Sequence, residues 1–365
     1  MAPAVLSSRD LNRATLARQM LLERAADLAL PAAVERVGGM QAQEPKHPFV
    51  GLWTRVASFS SDALLDALGD GSVVRATLMR STLHLCSAAD YVALRLALQP
   101  PMSVALRVLG ARAEGLDPEA VVSATRELLA GHPLTFDAIR AALQERFPDV
   151  NDRALGYAAR TLVPLVMVPD RSARWGYPRV CEFALAEEFL DGPLAPAAPE
   201  ALVTRYLGAY GPASAADVQA WSGVGGMKQV LDGMRGGLEV FLDERGRELF
   251  DLPDAPRPGG EVEAPVRFLP EFDNLVLAYD DRTRVIADEH RPLVTTKNLR
   301  VKATFLVDGV VAGVWTLAVK RRVATVALAP FGSLSERAMK ELTAEGEALA
   351  RFVEPGAKEH AVVVE

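Results

Sequence analysis

The chain has 365 residues, half of them hydrophobic and 24% charged, with a net charge of −7 and two cysteines. That length and apolar content suffice for a large core divided into two or three compact units, and they exclude a disordered chain. The acidic balance excludes a protein that coats polyanions over its whole surface, and Cys86 and Cys181 belong to no CxxC or Cys/His cluster, so neither a disulfide framework nor a zinc site is expected.

No basic-plus-apolar leader opens "MAPAVLSSRD", and no apolar run approaches the roughly 20 residues that span a bilayer, so a cytoplasmic protein without a membrane partner is expected. Ser7 to Asp10 has capping-box spacing and predicts a helix to about Arg24. A short helix follows from Pro31 and stops at Gly38-Gly39. "HPFVGLWTRVASF" reads as helix, a further helix is capped at Ser60 or Ser61, and "SVVRATLMRSTLHLCS" reads as strand. Ser87 to Asp90 is another capping box, opening a helix that should end at Pro100-Pro101. Residues 1–112 carry 12 basic and 9 acidic side chains, a net of +3 that leaves −10 for the remainder.

Over 113–190, helix starts at Pro118, Thr135 and Asn151 precede "TLVPLVMVPDRSARWGYPRVCEFAL", a strand, basic turn and strand. Three helices and a hairpin are the order of a winged helix. After the proline-rich linker Asp191–Glu200 the order recurs over 200–256, with a capping box at Ser214 and Asp217 and a hairpin around Glu244-Arg245-Gly246. From 262 to 365 the pattern turns to β, with Asp308-Gly309 as a hairpin turn and one amphipathic helix, Ser335 to Phe352, closing the chain. Basic residues gather from Arg282 to Lys302 and at Lys320-Arg321-Arg322.

The sequence contains no P-loop, no GxGxxG after a strand, no HExxH and no GxSxG. Thr82 and His84 alternate along one strand face, where His84 reads as a satisfied buried histidine. Phe272-Asp273-Asn274 and Asp281-Arg282-Thr283-Arg284 read as turn chemistry with surface ion pairs. Gln41 and Gln43 follow the Gly-Gly stop in "GGMQAQEPKH". In an extended segment side chains two apart point the same way, whereas on a helix they diverge by about 200°. Together the pair offers carbonyl acceptors and N–H donors able to hold a water or a polar substrate edge. The same amides would also satisfy loose backbone groups at a helix end, the reading that composition alone favours.

The constellation "RQMLLER…VGGMQAQEP…GLWTRV…VVRATLMRSTLHLCSAADY…FLPEFDNLVLAYDDRTRV" resembles the AlkZ/YcaQ helix-turn-helix DNA glycosylases over nearly the whole chain. Its most specific element is glutamine, hydrophobic residue, glutamine, matched by Gln41-Ala42-Gln43, with an alanine that is small for the middle position. The YcaQ branch carries aspartate at the last place, so the match is to the AlkZ-like branch. The resemblance implies an α+β fold with three tandem winged-helix motifs around a concave DNA channel, residues 1–112 forming the first, and a β-rich C-terminal portion. It implies that Gln41 and Gln43 position and polarise the attacking water, and that Arg75, Arg80, Thr82, His84, Asn274, Arg282 and Arg284 contact DNA. It further implies a lesion-probing hairpin, no metal and no organic cofactor, double-stranded DNA carrying N7-alkylguanine as the partner, and a monomer associated with the nucleoid.

The chemistry is consistent with amides in that role. Hydrolysis of an ordinary glycosidic bond needs a general acid for the leaving group and a second carboxyl group. An N7-alkylated guanine already carries positive charge and departs without protonation. What remains is to place a water below C1′ and to stabilise an oxocarbenium-like sugar, which preorganised dipoles can do. The competing expectation is a non-catalytic winged-helix DNA-binding protein or transcription regulator. It ranks second because "DVQAWSGVGGMKQVLDGMRGG" is poor in the Arg, Asn and Gln side chains that read base edges. A non-DNA protein on the same fold ranks third.

Overall fold

In the computed structural model, which describes residues 3–296 and 300–365, the chain is a mixed α+β fold with three sheets among the described residues. Lys297, part of the basic stretch Arg282–Lys302, lies outside the described residues. The largest sheet is antiparallel throughout, in the order Met40–Gln41, Leu83–Ser87, Val73–Thr77, Leu165–Met167, Glu182–Leu185, Leu134–Thr135. The hairpin of the first hundred residues therefore continues into the next, through Arg75 opposite Met167 and Ala76 opposite Val166. A second sheet pairs the hairpin Glu239–Asp243 and Glu248–Asp251 with a parallel strand, Ala4–Leu6. The third joins Arg267–Leu269, Thr304–Val307, Val310–Lys320, Val323–Pro330 and Glu359–Val364 beneath the helix Glu336–Val353.

Local chemistry accounts for the element starts. Ser7 with Asp10 and Ser214 with Asp217 form complete capping boxes, and Ser87, Asp117, Thr135, Asn151 and Ser335 each accept a first-turn backbone N–H. Such caps are worth about 1 kcal/mol each. The helix Leu30–Arg36 ends because Gly38 and Gly39 take φ of 71° and 77°, returning their N–H groups to Glu35 and Val34. At Gly39 a side chain would also meet the Leu85 carbonyl and the Met79 methyl at 3.3 Å, so both conformation and space require glycine. Asp308 and Gly309 form the expected hairpin turn with φ of 47° and 81°.

Several boundaries differ from the expectations. The first helix ends at Arg18, because Met20 turns into the left-handed region and Arg18 is held by Asp251. "HPFVGLWTRVASF" is helical only over Lys46–Trp53. The single strand read over Ser72–Ser87 is two strands reversed by a 3-10 turn at Met79–Ser81. Pro100 and Pro101 do not end a helix but lie in the first turns of a new one, Gln99–Ala105, where a missing N–H costs nothing. The amphipathic helix does not close the chain: Glu359–Val364 follows it as a strand parallel to Val323–Pro330.

Tyr206, Tyr210, Trp221 and Tyr279 form a fully buried aromatic cluster linking the helices Pro199–Tyr210 and Ala215–Ser222 to the C-terminal region. The Tyr210 hydroxyl donates to the Val37 carbonyl at 2.8 Å, fixing the chain just before Gly38. Cys86 and Cys181 are free thiols. Among the described residues no single helix is long and apolar enough to cross a membrane.

Candidate active site

Beyond the two glycines, Met40 and Gln41 add a short strand to the sheet edge, with Gln41 opposite His84, and the Ala42 N–H continues the pairing by donating to Leu83 at 2.7 Å. Ala42 is fully buried, a site for a small side chain. Behind the motif stands Arg75, 4% exposed and stacked over the Tyr177 ring at 5.0 Å. Its Nε donates to the Ala42 carbonyl at 2.9 Å and its Nη2 to the Gln43 carbonyl at 3.1 Å. One guanidinium thus fixes the backbone of two consecutive motif residues. Gln41 is buried, whereas Gln43 is exposed and its side chain makes no hydrogen bond among the described residues.

The Gln41 carboxamide is oriented from the far side of the hairpin. Arg80, at φ 55° in the Met79–Ser81 turn, donates to Gln41 Oε1 at 3.3 Å, Asn274 Oδ1 at 3.3 Å and the Trp221 carbonyl at 2.6 Å. A guanidinium only donates, so the amide atom facing it is Oε1, leaving one Oε1 lone pair and both N–H groups for other partners. Asn274 in turn donates to the Gly39 carbonyl at 3.1 Å. Arg80 and Ser81 are both left-handed, and so is Phe272 across the site at φ 60°. Such strain is concentrated where geometry is functionally constrained.

The electrostatics are those of a half-buried cation without a counter-charge. Arg80 has only neutral acceptors, and its pKa is pushed down to about 10 by burial, with Arg282 adding to the depression. Burial and Arg80 together push His84 down to about 3, so its ring is neutral at physiological pH. Its Nδ1 lies 3.0 Å from the Thr82 carbonyl and its Nε2 has no partner, so His84 is buried as expected but only half satisfied.

Beneath Gln41 lies a cavity of about 10 Å³, lined by Gln19, Val37, Gly39, Met40, Gln41, His47, Arg55, Tyr210, Pro270, Asp273 and Asn274. Asp273 is its only carboxylate. It is not a surface group: both its oxygens accept from Arg55, at 2.9 and 2.8 Å, in a fully buried bidentate pair. His47, in the first turn of Lys46–Trp53, is 6% exposed, and its pKa is pushed down to about 4 by burial, then by Lys46 and Arg300.

The structure thus brings Gln41, Arg80, His84 and Asn274 together, with Thr82 at the edge donating to the Met79 carbonyl at 3.1 Å. Arg75 is buried behind the motif. Arg282 is partly buried, reaching the Tyr279 carbonyl at 3.3 Å. Arg284 is buried away from Gln41, over the Tyr279 ring and donating to Pro212. The sequence reading missed His47 and Arg55 as site residues, although His47 follows the glutamine motif by four residues and Arg55 lies within the quoted stretch "GLWTRV"; only the fold brings them to one cavity, His47 from the first turn of Lys46–Trp53 and Arg55 from just beyond its end. Among the described residues no cluster of His, Cys, Asp or Glu is arranged to hold a metal ion.

The cavity beneath Gln41 thus combines a neutral amide, held by the half-buried Arg80, with a single carboxylate already paired to Arg55, on a mixed α+β scaffold. Residues 34–352 match the family model described as DNA glycosylase AlkZ-like, and the chain belongs to that family of DNA glycosylases. A curated relative, the interstrand DNA cross-link repair glycosylase of Streptomyces sahachiroi, is 27% identical over 353 residues, covering 88% of this chain and 91% of that protein. The solved structure of Streptomyces sahachiroi DNA glycosylase AlkZ matches with a TM-score of 0.80 at 23% identity, over 99% of this chain and 100% of the other, which shows a shared fold.

Proposed function

We propose that this DNA glycosylase is monofunctional and hydrolyses the N-glycosidic bond of N7-alkylguanine adducts in duplex DNA, in repair or in self-resistance to an alkylating toxin. Its substrates include interstrand cross-links, the damage that the name of its Streptomyces sahachiroi relative specifies. The observation that carries this reading is the state of the carboxylates: the only one lining the cavity beneath Gln41 is wholly engaged by Arg55. A site without an available acid suits a leaving group that needs no protonation, and an N7-alkylguanine is such a group. Gln41, oriented by Arg80, presents its remaining Oε1 lone pair to the water. Gln43, exposed at the mouth, completes the water's placement below C1′. Arg80 and Arg282, which form no ion pair among the described residues, meet the phosphates beside the lesion.

The helix triplets Pro118–Leu129, Phe136–Arg146, Asp152–Leu162 and Pro199–Tyr210, Ala215–Ser222, Met227–Met234, each followed by a hairpin, support two winged-helix motifs over 113–190 and 200–256. Residues 1–112 form a third and 262–365 the β-rich remainder, the four enclosing a DNA channel in a monomer. The exposed Lys320-Arg321-Arg322 tip of the hairpin Val310–Pro330 is a DNA-contacting element of the same surface.

The test is incubation with duplex DNA carrying N7-methylguanine or an N7-linked cross-link, followed by alkaline cleavage at abasic sites. Wild type should cleave, and Gln41→Ala with Gln43→Ala should fall to the uncatalysed level while still binding duplex. Glu44→Gln should remain active. Loss of activity in Glu44→Gln alone would move the chemistry to a carboxylate and refute the proposal.

A further inference from the structure

Two of the residues lining the cavity carry a buried side-chain nitrogen without a hydrogen-bond partner: His47 at Nδ1 and Arg55 at Nε. One is an acceptor and the other is a donor when His47 is the neutral Nε2–H tautomer. Several polar groups around them are already engaged. Tyr210 donates to Val37, Gln19 to Ala209 at 3.0 Å, Asn274 to Gly39, and the two terminal nitrogens of Arg55 to Asp273. Leaving a buried donor and a buried acceptor both unpaired is unfavourable, and native interiors resolve such pairs with ordered water. A water needs about 10–15 Å³ of accessible space and two to four polar partners. The cavity has about 10 Å³, and His47, Arg55 and Gln41 all line it.

We infer that His47 is a positioning residue: with Arg55 it holds one internal water beneath the motif, and that water fixes the Gln41 carboxamide from below while Arg80 fixes it from above. The water accepts from Arg55 Nε–H, donates one proton to His47 Nδ1 and accepts a second hydrogen bond from the Gln41 Nε2–H, the amide group that Arg80 leaves free. It is distinct from the attacking water, which approaches from the DNA side. The depressed basicity of His47 keeps the ring neutral and Nδ1 free to accept. No proton transfer passes through it.

This inference rests on the catalytic role proposed for Gln41, and the two can fail separately. On the full chain with N7-methylguanine duplex, His47→Leu should lower the single-turnover rate by up to about a hundredfold, as displaced catalytic groups do, with the duplex Kd unchanged within twofold. His47→Gln, which restores an acceptor, should recover most of the rate. In the wild-type protein, nitrogen-15 spectra of the ring should show Nε2 protonated and Nδ1 accepting a hydrogen bond. Absence of turnover by wild type would sink the glycosylase reading, while the ring spectrum still tests the water. A wild-type rate in folded His47→Leu, a loss of rate that His47→Gln does not relieve, or a Nδ1-protonated ring overturns the inference. If His47→Leu does not fold, the spectrum decides.

Discussion

Arg75 offers the sharpest separation between a DNA contact and a scaffold for the motif. Replacing it with Met keeps most of the stem but removes the donors to the Ala42 and Gln43 carbonyls and the stack on Tyr177. Each charge-assisted hydrogen bond is worth about 1.5–3 kcal/mol and the cation–π contact about 1–2 kcal/mol. Against these stands the release of a charge that has no carboxylate partner, whose burial lowers its own pKa. The balance is a destabilisation of about 2–4 kcal/mol, within the range of a broken buried network. Urea unfolding should report it as a lower midpoint at unchanged slope, and single-turnover base release should fall because the Gln41–Gln43 backbone loosens. Filter binding across a salt series should show the same duplex affinity and log–log slope as wild type. A slope reduced by about 0.9, with stability intact, would make Arg75 a phosphate contact and refute this reasoning.

Three further outcomes follow from other parts of the molecule. Asp273→Leu strands Arg55 in the interior and should cost about 3–5 kcal/mol, while the double variant with Arg55→Met should be less destabilised than the sum of the singles; additive losses in chemical denaturation would contradict the buried pair. His47 and His84 refuse protons when folded, at pKa of about 4 and 3, that the unfolded chain accepts below about 6.5, so both make stability fall as pH drops from 6.5 toward 4. Asp90, raised to about 6 by burial, opposes them between about 6 and 4, so the comparison is between variants: His47→Gln should lose less stability than wild type from pH 7 to pH 4.5, and equal losses would refute it. Arg321 and Arg322 form a two-residue turn with φ of 52° and 66°, a conformation suited to Asn-Gly. Replacing the pair with Asn-Gly should raise stability by about 1–2 kcal/mol and weaken duplex binding with a shallower salt slope; unchanged binding would remove this hairpin from the DNA surface.

The sequence by itself determined whatever depends on a few neighbouring residues. Capping side chains three residues from acidic partners, Pro118 at a first turn, Gly38-Gly39 as a stop and Asp308-Gly309 as a turn each act through one or two backbone groups, and each appears where its chemistry predicts. The glycine stop before the glutamine motif was legible for the same reason, but the extended segment expected through Gln43 ends at Gln41: Gln43 lies in a bend and is exposed where Gln41 is buried. Where local signals misled, longer-range packing had intervened: Met20 breaks its helix while Arg18 is held by an aspartate 233 residues away, and Glu359–Val364 is a strand because Val323–Pro330 offers it an edge. Only the tertiary structure decided which side chains meet at Gln41. Arg80 comes from a hairpin turn 39 residues on and brings Asn274 from 194 residues beyond itself, while Arg75 turns inward and Arg284 turns away. No local rule sets such meetings. They follow from the way the three sheets and the aromatic cluster pack, where a cation partly withdrawn from water must find acceptors wherever the fold supplies them.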